Sequence, residues 1–282
     1  MRVLTSPHGL ALAQVHNRGT IEQPDVRYSI LERVPAFATH VGAGAALRRI
    51  LGLDVDPAPL QHRVAAERRI HATAIALRGM RPPRFASLFE AFARIVPFQQ
   101  LSLEAGVAIV ARLVAKFGEH IEHDQRRYYA FPTSGAIAAA RLDALRSCGL
   151  SAQKAHTLRN LARAIESGAV SEQRLAAMST RAAFQALIEL PGIGAWSAGV
   201  VLLRGFGRLD VFPSGDVGAA RGLRTLMRLE PHAPLDRIIE RFGEHRGYLY
   251  FCVLGRWLLS KGLVHPAAGT DSPGTEAPPP GS

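Results

Sequence analysis

Apolar side chains at Leu103, Val107, Val110, Leu113, Val114 and Phe117 recur at three- and four-residue steps, the spacing that puts them on one face of an α-helix. The pattern predicts a helix with that stripe buried, stopped by Gly118. Similar stripes run through 151–167 (Ala155, Leu158, Leu161, Ala162, Ile165), 181–190 and 246–259, with Gly or Pro between most of them. From residue 85 onward no strand-like alternation is read, and neither an internal repeat nor a sustained heptad appears. This stretch is expected to be a compact body of short helices. The beginning of the chain has a different texture. Residues 9–36 carry short apolar patches interrupted by Asn17-Arg18-Gly19 and Pro24, which predicts two or three short strands. A brief helix over 45–51 and a longer one over 60–78 follow, and Gly79-Met80-Arg81-Pro82-Pro83 then punctuates the chain. Beyond about residue 265 the composition is Ala, Gly, Pro, Ser and Thr with two acids and no aromatic, too little apolar surface to offset ordering entropy. The expected organisation is a short α+β region over 1–78, a helical body over 79–264 and a disordered tail over 265–282.

Length and composition narrow the function classes. A chain of 282 residues with 48% hydrophobic and 20% charged side chains can bury a proper core as one large or two ordinary domains. No apolar run reaches the roughly 18 residues of a membrane span. Lys and Arg number 34 against 23 Asp and Glu, a formal charge of +11, so an acidic polymer is the first partner to consider. Only three of those 34 are lysines. Arginine's planar fork suits phosphate, although such a bias also follows from codon habits. The two cysteines, Cys148 and Cys252, are too far apart in sequence for a CxxC ligand pair, and the first 20 residues read as neither signal nor transit peptide. A reducing, cytoplasmic setting is expected.

The most informative stretch is 184–216, FQALIELPGIGAWSAGVVLLRGFGRLDVFPSGD. An amphipathic helix ends at Leu190, Pro191-Gly192-Ile193-Gly194 reverses the chain, and a second helix starts near Ala195 with Ser197, Ala198 and Gly199 small enough for close contact. This predicts a helix-hairpin-helix. Glycines at 192 and 194 let backbone amides face outward beside a helix N-terminus, where a phosphate oxygen is favoured, so the hairpin can hold a DNA backbone without reading bases. The same five residues also fit a plain turn between helices. Twenty-two residues after Gly194 stands Asp216, at the mouth of a helix expected over 217–227. Its simplest role is an N-cap. A carboxylate beside a cleft is also what hydrolysis at an anomeric carbon needs, because the transition state resembles an oxocarbenium cation.

Hairpin, Gly/Pro-rich loop and Asp at this spacing resemble the helix-hairpin-helix DNA glycosylases, and within them the 3-methyladenine DNA glycosylase II branch with its Pro-Gly-Ile-Gly followed by Trp-Thr/Ser-Ala. The resemblance runs from residues 79–83 through Phe98-Gln99-Gln100-Leu101-Ser102 to Arg246-Gly247-Tyr248, about two thirds of the chain. It implies a mainly α helix-hairpin-helix glycosylase fold, Asp216 as the catalytic carboxylate, and a monomer acting on double-stranded DNA that contains damaged, chiefly alkylated, purines. It also implies that Gln100, or else Gln99 or Leu101, fills the gap left by a flipped base, and that Trp196 lines the base pocket. Main-chain carbonyls of Ile188, Leu190 and Ile193 are implied to hold a Na or K ion. No other cofactor is required.

Two departures shape the expectation further. Members that also cut the strand place a Lys two residues after the last hairpin glycine, and Trp196 stands there instead, so hydrolysis without lyase chemistry is implied. Two distant cysteines cannot hold the four-cysteine iron-sulfur cluster of another branch. Where the branch commonly has pocket aromatics this chain has Val200, Val217 and Leu254, leaving Trp196 with help from Tyr248 or Phe98. Rival readings are a DNA-binding protein with a dead pocket and a glycosylase for deaminated or oxidised bases.

Overall fold

A computed structural model describes residues 1–6, 9–21, 23–33 and 40–266, so the end of the stretch expected as strand over 9–36, and all but the first two residues of the tail expected over 265–282, lie outside the described residues. The chain opens with three antiparallel strands, β1 (Arg2–Ser6), β2 (Gly9–Asn17) and β3 (Val26–Arg33), in the order β1-β2-β3. Alternate side chains of a strand face opposite sides, and β2 uses both. Ala11 and Ala13 pack under Ala43 and Leu47 of α1 (His40–Leu51), while Leu10 and Leu12 pack on Ile121 and Ala130. In place of one helix over 60–78 stand α2 (Ala58–Ala65) and α3 (His71–Ala76). A straight helix would have carried Glu67 and Arg68 onto the stripe begun by Leu60 and Val64; the break returns Ile70 and Ala74 to the same apolar cluster.

The helical body begins with α4 (Leu88–Ile95), whose N-terminus is capped by the Ser87 hydroxyl accepting from the Glu90 amide at 3.1 Å, and continues into α5 (Leu103–Phe117). The stripe predicted for α5 is rotated. Gly106, Ile109, Val110 and Leu113 are buried, whereas Leu103 and Val107 are 41% and 53% exposed. The Phe98 ring lies where a side chain at 106 would be, so the glycine face, silent in an apolar pattern, is the one that packs inward. Two short strands then appear within the region read as wholly helical, β4 (His120–His123) and β5 (Arg126–Tyr129). Asp124 and Gln125 both take positive φ in the turn between them, the geometry of a tight hairpin that polar, non-alternating residues do not advertise. Five helices follow: α6 (Ser134–Ala139), α7 (Leu142–Arg146), α8 (Ala152–Glu166), α9 (Glu172–Ala177) and α10 (Thr180–Ile188), four of them capped by a Ser or Thr hydroxyl. The chain then forms α11 (Ala195–Val200), a π-helical turn over Val201–Gly205, α12 (Val217–Leu226), α13 (Asp236–Glu240) and α14 (Tyr248–Ser260). Among the described residues no helix is long and apolar enough to cross a membrane.

Two large apolar clusters result. One joins α4, α5 and α6 to α11; the other joins α12 to α14 with Leu60, Val64, Ile70 and Ala74. The boundary expected near residue 79 therefore runs through a shared core. Val200, Val201 and Leu202 belong to the first cluster and Leu203 to the second, so the segment that follows the hairpin passes between the two. The sheet is tied to the body by charge. Glu90, 4% exposed, receives Arg2 of β1 at 2.9 and 3.0 Å and Arg94 at 2.6 Å.

Burial alone would raise the Glu90 pKa, but the charges and hydrogen bonds of Arg2 and Arg94 hold it below the usual carboxylate value. A depressed carboxylate stabilises the fold above its unfolded pKa and loses that contribution as pH falls through its lower folded pKa. Glu90→Gln should cost roughly 2–3 kcal/mol near pH 7, the low side of breaking a buried ion pair because both arginines reach solvent. Denaturant melts of both proteins at pH 7 and at falling pH would show the difference shrinking in acid; a constant difference would mean that charge is not the cause.

Candidate active site

The hairpin closes as the glycine pattern requires. Between α10 and α11 the Ile193 amide donates to the Leu190 carbonyl at 3.0 Å, and Ile193 itself is buried, plugging the turn into the first core. Gly192 has φ of +84°, and a Cβ there would sit 2.5 Å from the Thr157 hydroxyl oxygen of α8. Gly194 differs: its φ is −90°, and among the described residues a Cβ would meet nothing within 4 Å. Pro191, Gly192 and Gly194 are exposed.

Asp216 caps α12, its Oδ1 accepting the Ala219 amide at 2.7 Å. The other oxygen, Oδ2, accepts the Trp196 indole N–H at 2.8 Å. The half-buried carboxylate is thus fixed from two elements 20 residues apart, and it lines a cleft of about 1580 Å³ that also includes the whole hairpin turn. Trp196 therefore both lines the cleft and orients the carboxylate. The second role was not visible in sequence beyond the rule that a buried indole N–H seeks an acceptor.

Of the other residues expected in the base pocket, Val200 and Leu254 line the cleft, and Val217 lies at its mouth, 69% exposed. Tyr248 does not line it. Its ring is buried in the second core and its hydroxyl donates to the Met80 carbonyl at 3.0 Å. Two residues further along α14, about 200° round the helix, Tyr250 faces the cleft instead. Phe85, Phe98 and Trp257 add further aromatic surface, so the cleft is richer in aromatics than expected from Val200, Val217 and Leu254 alone. The Tyr250 ring meets Phe212 edge-on at 6.3 Å, and burial, with the Asp216 charge adding to it, pushes its hydroxyl pKa up to about 12 against a smaller opposing effect of Arg204. Tyr250 is a neutral donor at any ordinary pH.

The loop expected to carry the wedge stands at the cleft rim. Gln100 is exposed at its tip in the left-handed region, with φ of +56°, and Leu101 beside it is 45% exposed. Gln99 is not free to insert, because its amide donates to the Gly192 carbonyl at 2.8 Å and the Ser197 hydroxyl at 3.0 Å. Lys154 of α8 donates to the carbonyls of Pro97 at 3.1 Å and Gln99 at 2.5 Å, and burial lowers its pKa. Lys154, Arg204, Arg221 and Arg256 line the cleft against Asp216 and Glu189, an electropositive surround. Burial also lowers the pKa of Arg204.

Comparison with known proteins places the chain in a family. Residues 94–244 match the HhH-GPD superfamily of base excision DNA repair proteins. A DNA-3-methyladenine glycosylase of Bacillus subtilis is 29% identical over 188 residues, which are 67% of this chain and 62% of the relative, so the chain spans a little under two thirds of that protein. The structure of 3-methyladenine DNA glycosylase from Archaeoglobus fulgidus matches with a TM-score of 0.75 at 25% identity, covering 92% of this chain and 87% of that one. The Schizosaccharomyces pombe 3-methyladenine DNA glycosylase, solved in complex with abasic DNA, matches with a TM-score of 0.57 at 25% identity over 72% of this chain and 97% of its own.

Gly192→Ala should lower stability by about 1–3 kcal/mol, since the new Cβ meets both an unfavourable φ and the Thr157 side chain. A thermal melt equal to that of the parent would show that the turn accommodates a side chain.

Proposed function

The chain belongs to the HhH-GPD superfamily of base excision DNA repair proteins, and from that premise we propose that it is a monomeric DNA glycosylase of the cytoplasmic nucleoid. It flips a damaged purine, alkylated in the first instance, out of duplex DNA and hydrolyses its N-glycosidic bond. The observation that carries this reading is the Asp216 carboxylate, held by the Ala219 amide and the Trp196 indole in the wall of a cleft that the hairpin borders.

Cleavage of the glycosidic bond sends its electron pair into the departing base and leaves positive charge on C1′ and the ring oxygen. Asp216 offers the compensating negative charge, already oriented, so no reorganisation is needed as that charge develops. Water then adds at C1′ and loses a proton, giving a free base and an abasic sugar. The flipped base stacks on the cleft aromatics, Trp196 among them, for about 1–3 kcal/mol, while Gln100, with Leu101 beside it, occupies the gap in the duplex. Position 196 holds no amine, so no Schiff base forms there and the abasic strand stays intact.

The hairpin holds the DNA backbone through outward amides. Gly194 supports this: neither its φ nor the described residues around it call for glycine, and the open space beside it admits a close approach by a phosphate. A monovalent cation suits the same turn. Ile188 is the last residue of α10, where carbonyls lack helical partners, and with the carbonyls of Leu190 and Ile193 it would hold the ion and add positive charge beside a phosphate.

Gly194→Ala should leave the melting temperature close to that of the parent while weakening duplex binding severalfold; unchanged binding would remove the hairpin from the interface. Asp216→Asn should bind duplex but turn over at least about two orders of magnitude more slowly. Borohydride should trap no covalent complex with the parent protein, and its abasic product should break only on alkali or heat. Full activity of the Asn variant would return Asp216 to a capping role, and a trapped adduct would overturn direct hydrolysis.

A further inference from the structure

A second cavity adjoins the cleft at Asp216. It is a groove of about 500 Å³ along α12, and Gly215, Asp216, Val217, Arg221 and Thr225 line both spaces. The two differ in chemistry. The cleft is rich in aromatic rings, whereas among the described residues that line the groove there is no aromatic, and Arg224 joins Arg221 there. Arg224 is steadied from beyond the groove, its Nε donating to the Ala233 carbonyl at 3.0 Å. Arg221 is exposed, and among the described residues its side chain has no hydrogen-bond or ion-pair partner. Asp216, the one acid in the groove wall, pairs with neither arginine, because its oxygens accept from the Ala219 amide and the Trp196 indole. Thr225 spends its hydroxyl hydrogen on the Arg221 carbonyl at 3.1 Å, so the side-chain donors left to an occupant of the groove are guanidinium groups. Glycines keep the junction of the two spaces clear: Gly215 has φ of +80°, and a Cβ at Gly218 would stand 3.4 Å from Asp216 Oδ1.

The chemistry of the occupant follows from the continuity of a DNA strand. With a flipped base among the cleft aromatics and its C1′ at Asp216, the sugar stands at the junction, and the backbone that leaves that sugar has to pass out beside it. A phosphodiester offers paired acceptor oxygens, which a guanidinium fork matches. It also brings a negative charge up to a carboxylate, a repulsion that a neighbouring guanidinium offsets. Resting on the reading that the cleft receives a flipped base, we propose that the groove is a phosphate subsite in which Arg221, assisted by Arg224, holds one of the two phosphodiesters flanking the flipped nucleotide, while the hairpin holds the other. The nucleotide is then gripped on both sides of its sugar. Because this contact lies outside the base cleft, it acts whatever the lesion is and persists after the base has left.

Duplexes with a single tetrahydrofuran abasic site test this without base chemistry, carrying a neutral methylphosphonate at the phosphate on the 5′ side of that site, on its 3′ side, or at neither. For the full chain, the methylphosphonate at one of the two positions should weaken binding about tenfold, the size of a hydrogen bond to a charged group. Arg221→Met, which keeps the stem, should melt with the parent, bind the unmodified duplex about tenfold more weakly, lower the slope of log affinity against log salt by about one, and be indifferent to that same methylphosphonate. The other position, at the hairpin, should cost parent and variant alike. Arg228→Met removes an equal charge from an exposed residue just beyond α12 and outside both cavities, and it should stay as sensitive to the methylphosphonates as the parent. No loss at either position in the parent, equal losses in the parent and Arg221→Met at both positions, or indifference of Arg228→Met as well would overturn the subsite. Release of 3-methyladenine from an alkylated duplex separates the two proposals. Release without a loss that depends on Arg221 keeps the glycosylase and sinks the subsite, whereas that loss without release of any base keeps the subsite and sinks hydrolysis.

Discussion

On the proposed reading a carboxylate that faces developing positive charge has to be open to the cleft and yet immobile, and the hydrogen bond from the Trp196 indole to Asp216 reconciles these demands. One oxygen is held by the amide end of α12 and the other by a side chain from the hairpin helix. The position of Asp216 therefore depends on where Trp196 is, which depends on how the turn at Gly192 and Ile193 seats α11. That helix continues into the π turn between the two apolar cores, giving residues to each. The carboxylate, the hairpin turn and the joint between the cores are one mechanical unit.

Much of this was legible along the chain because it rests on local rules. Helices α8, α10 and α14, the turn at 191–194 and the capping position of Asp216 follow from periodicity, glycine placement and the N-cap preference. What escaped depends on partners distant in sequence. The buried face of α5 was displaced because a glycine receiving a Phe98 ring leaves no apolar mark. The β4 and β5 hairpin is polar and is held by contact with the N-terminal sheet through Ile121 and Tyr128. Choosing between Tyr248 and Tyr250 required the rotation of α14 against the second core.

The N-terminal sheet is more than an appendage. Arg2 of β1 reaches Glu90, and Arg49 of α1 donates to the carbonyls of Phe85 and Gly205 at 2.9 Å each, gripping the backbone at Phe85 and at the end of the π turn. Arginine is used here for its geometry, since several carbonyls and carboxylates are reached from one side chain. The composition that points to an acidic polymer also builds the interior seams of the protein.

The clamp of Lys154 on the carbonyls of Pro97 and Gln99 bears on how the protein searches. Together with the Gln99 bonds to the hairpin, it holds the loop below Gln100 in shape before any DNA arrives. On the proposed wedge role of Gln100, each trial insertion between base pairs then costs little chain entropy, so most of the barrier to opening a pair belongs to the DNA itself. A weakened pair gives way where a sound one does not. On that reading, brief visits along a duplex become a test of base-pair strength, made before chemistry begins.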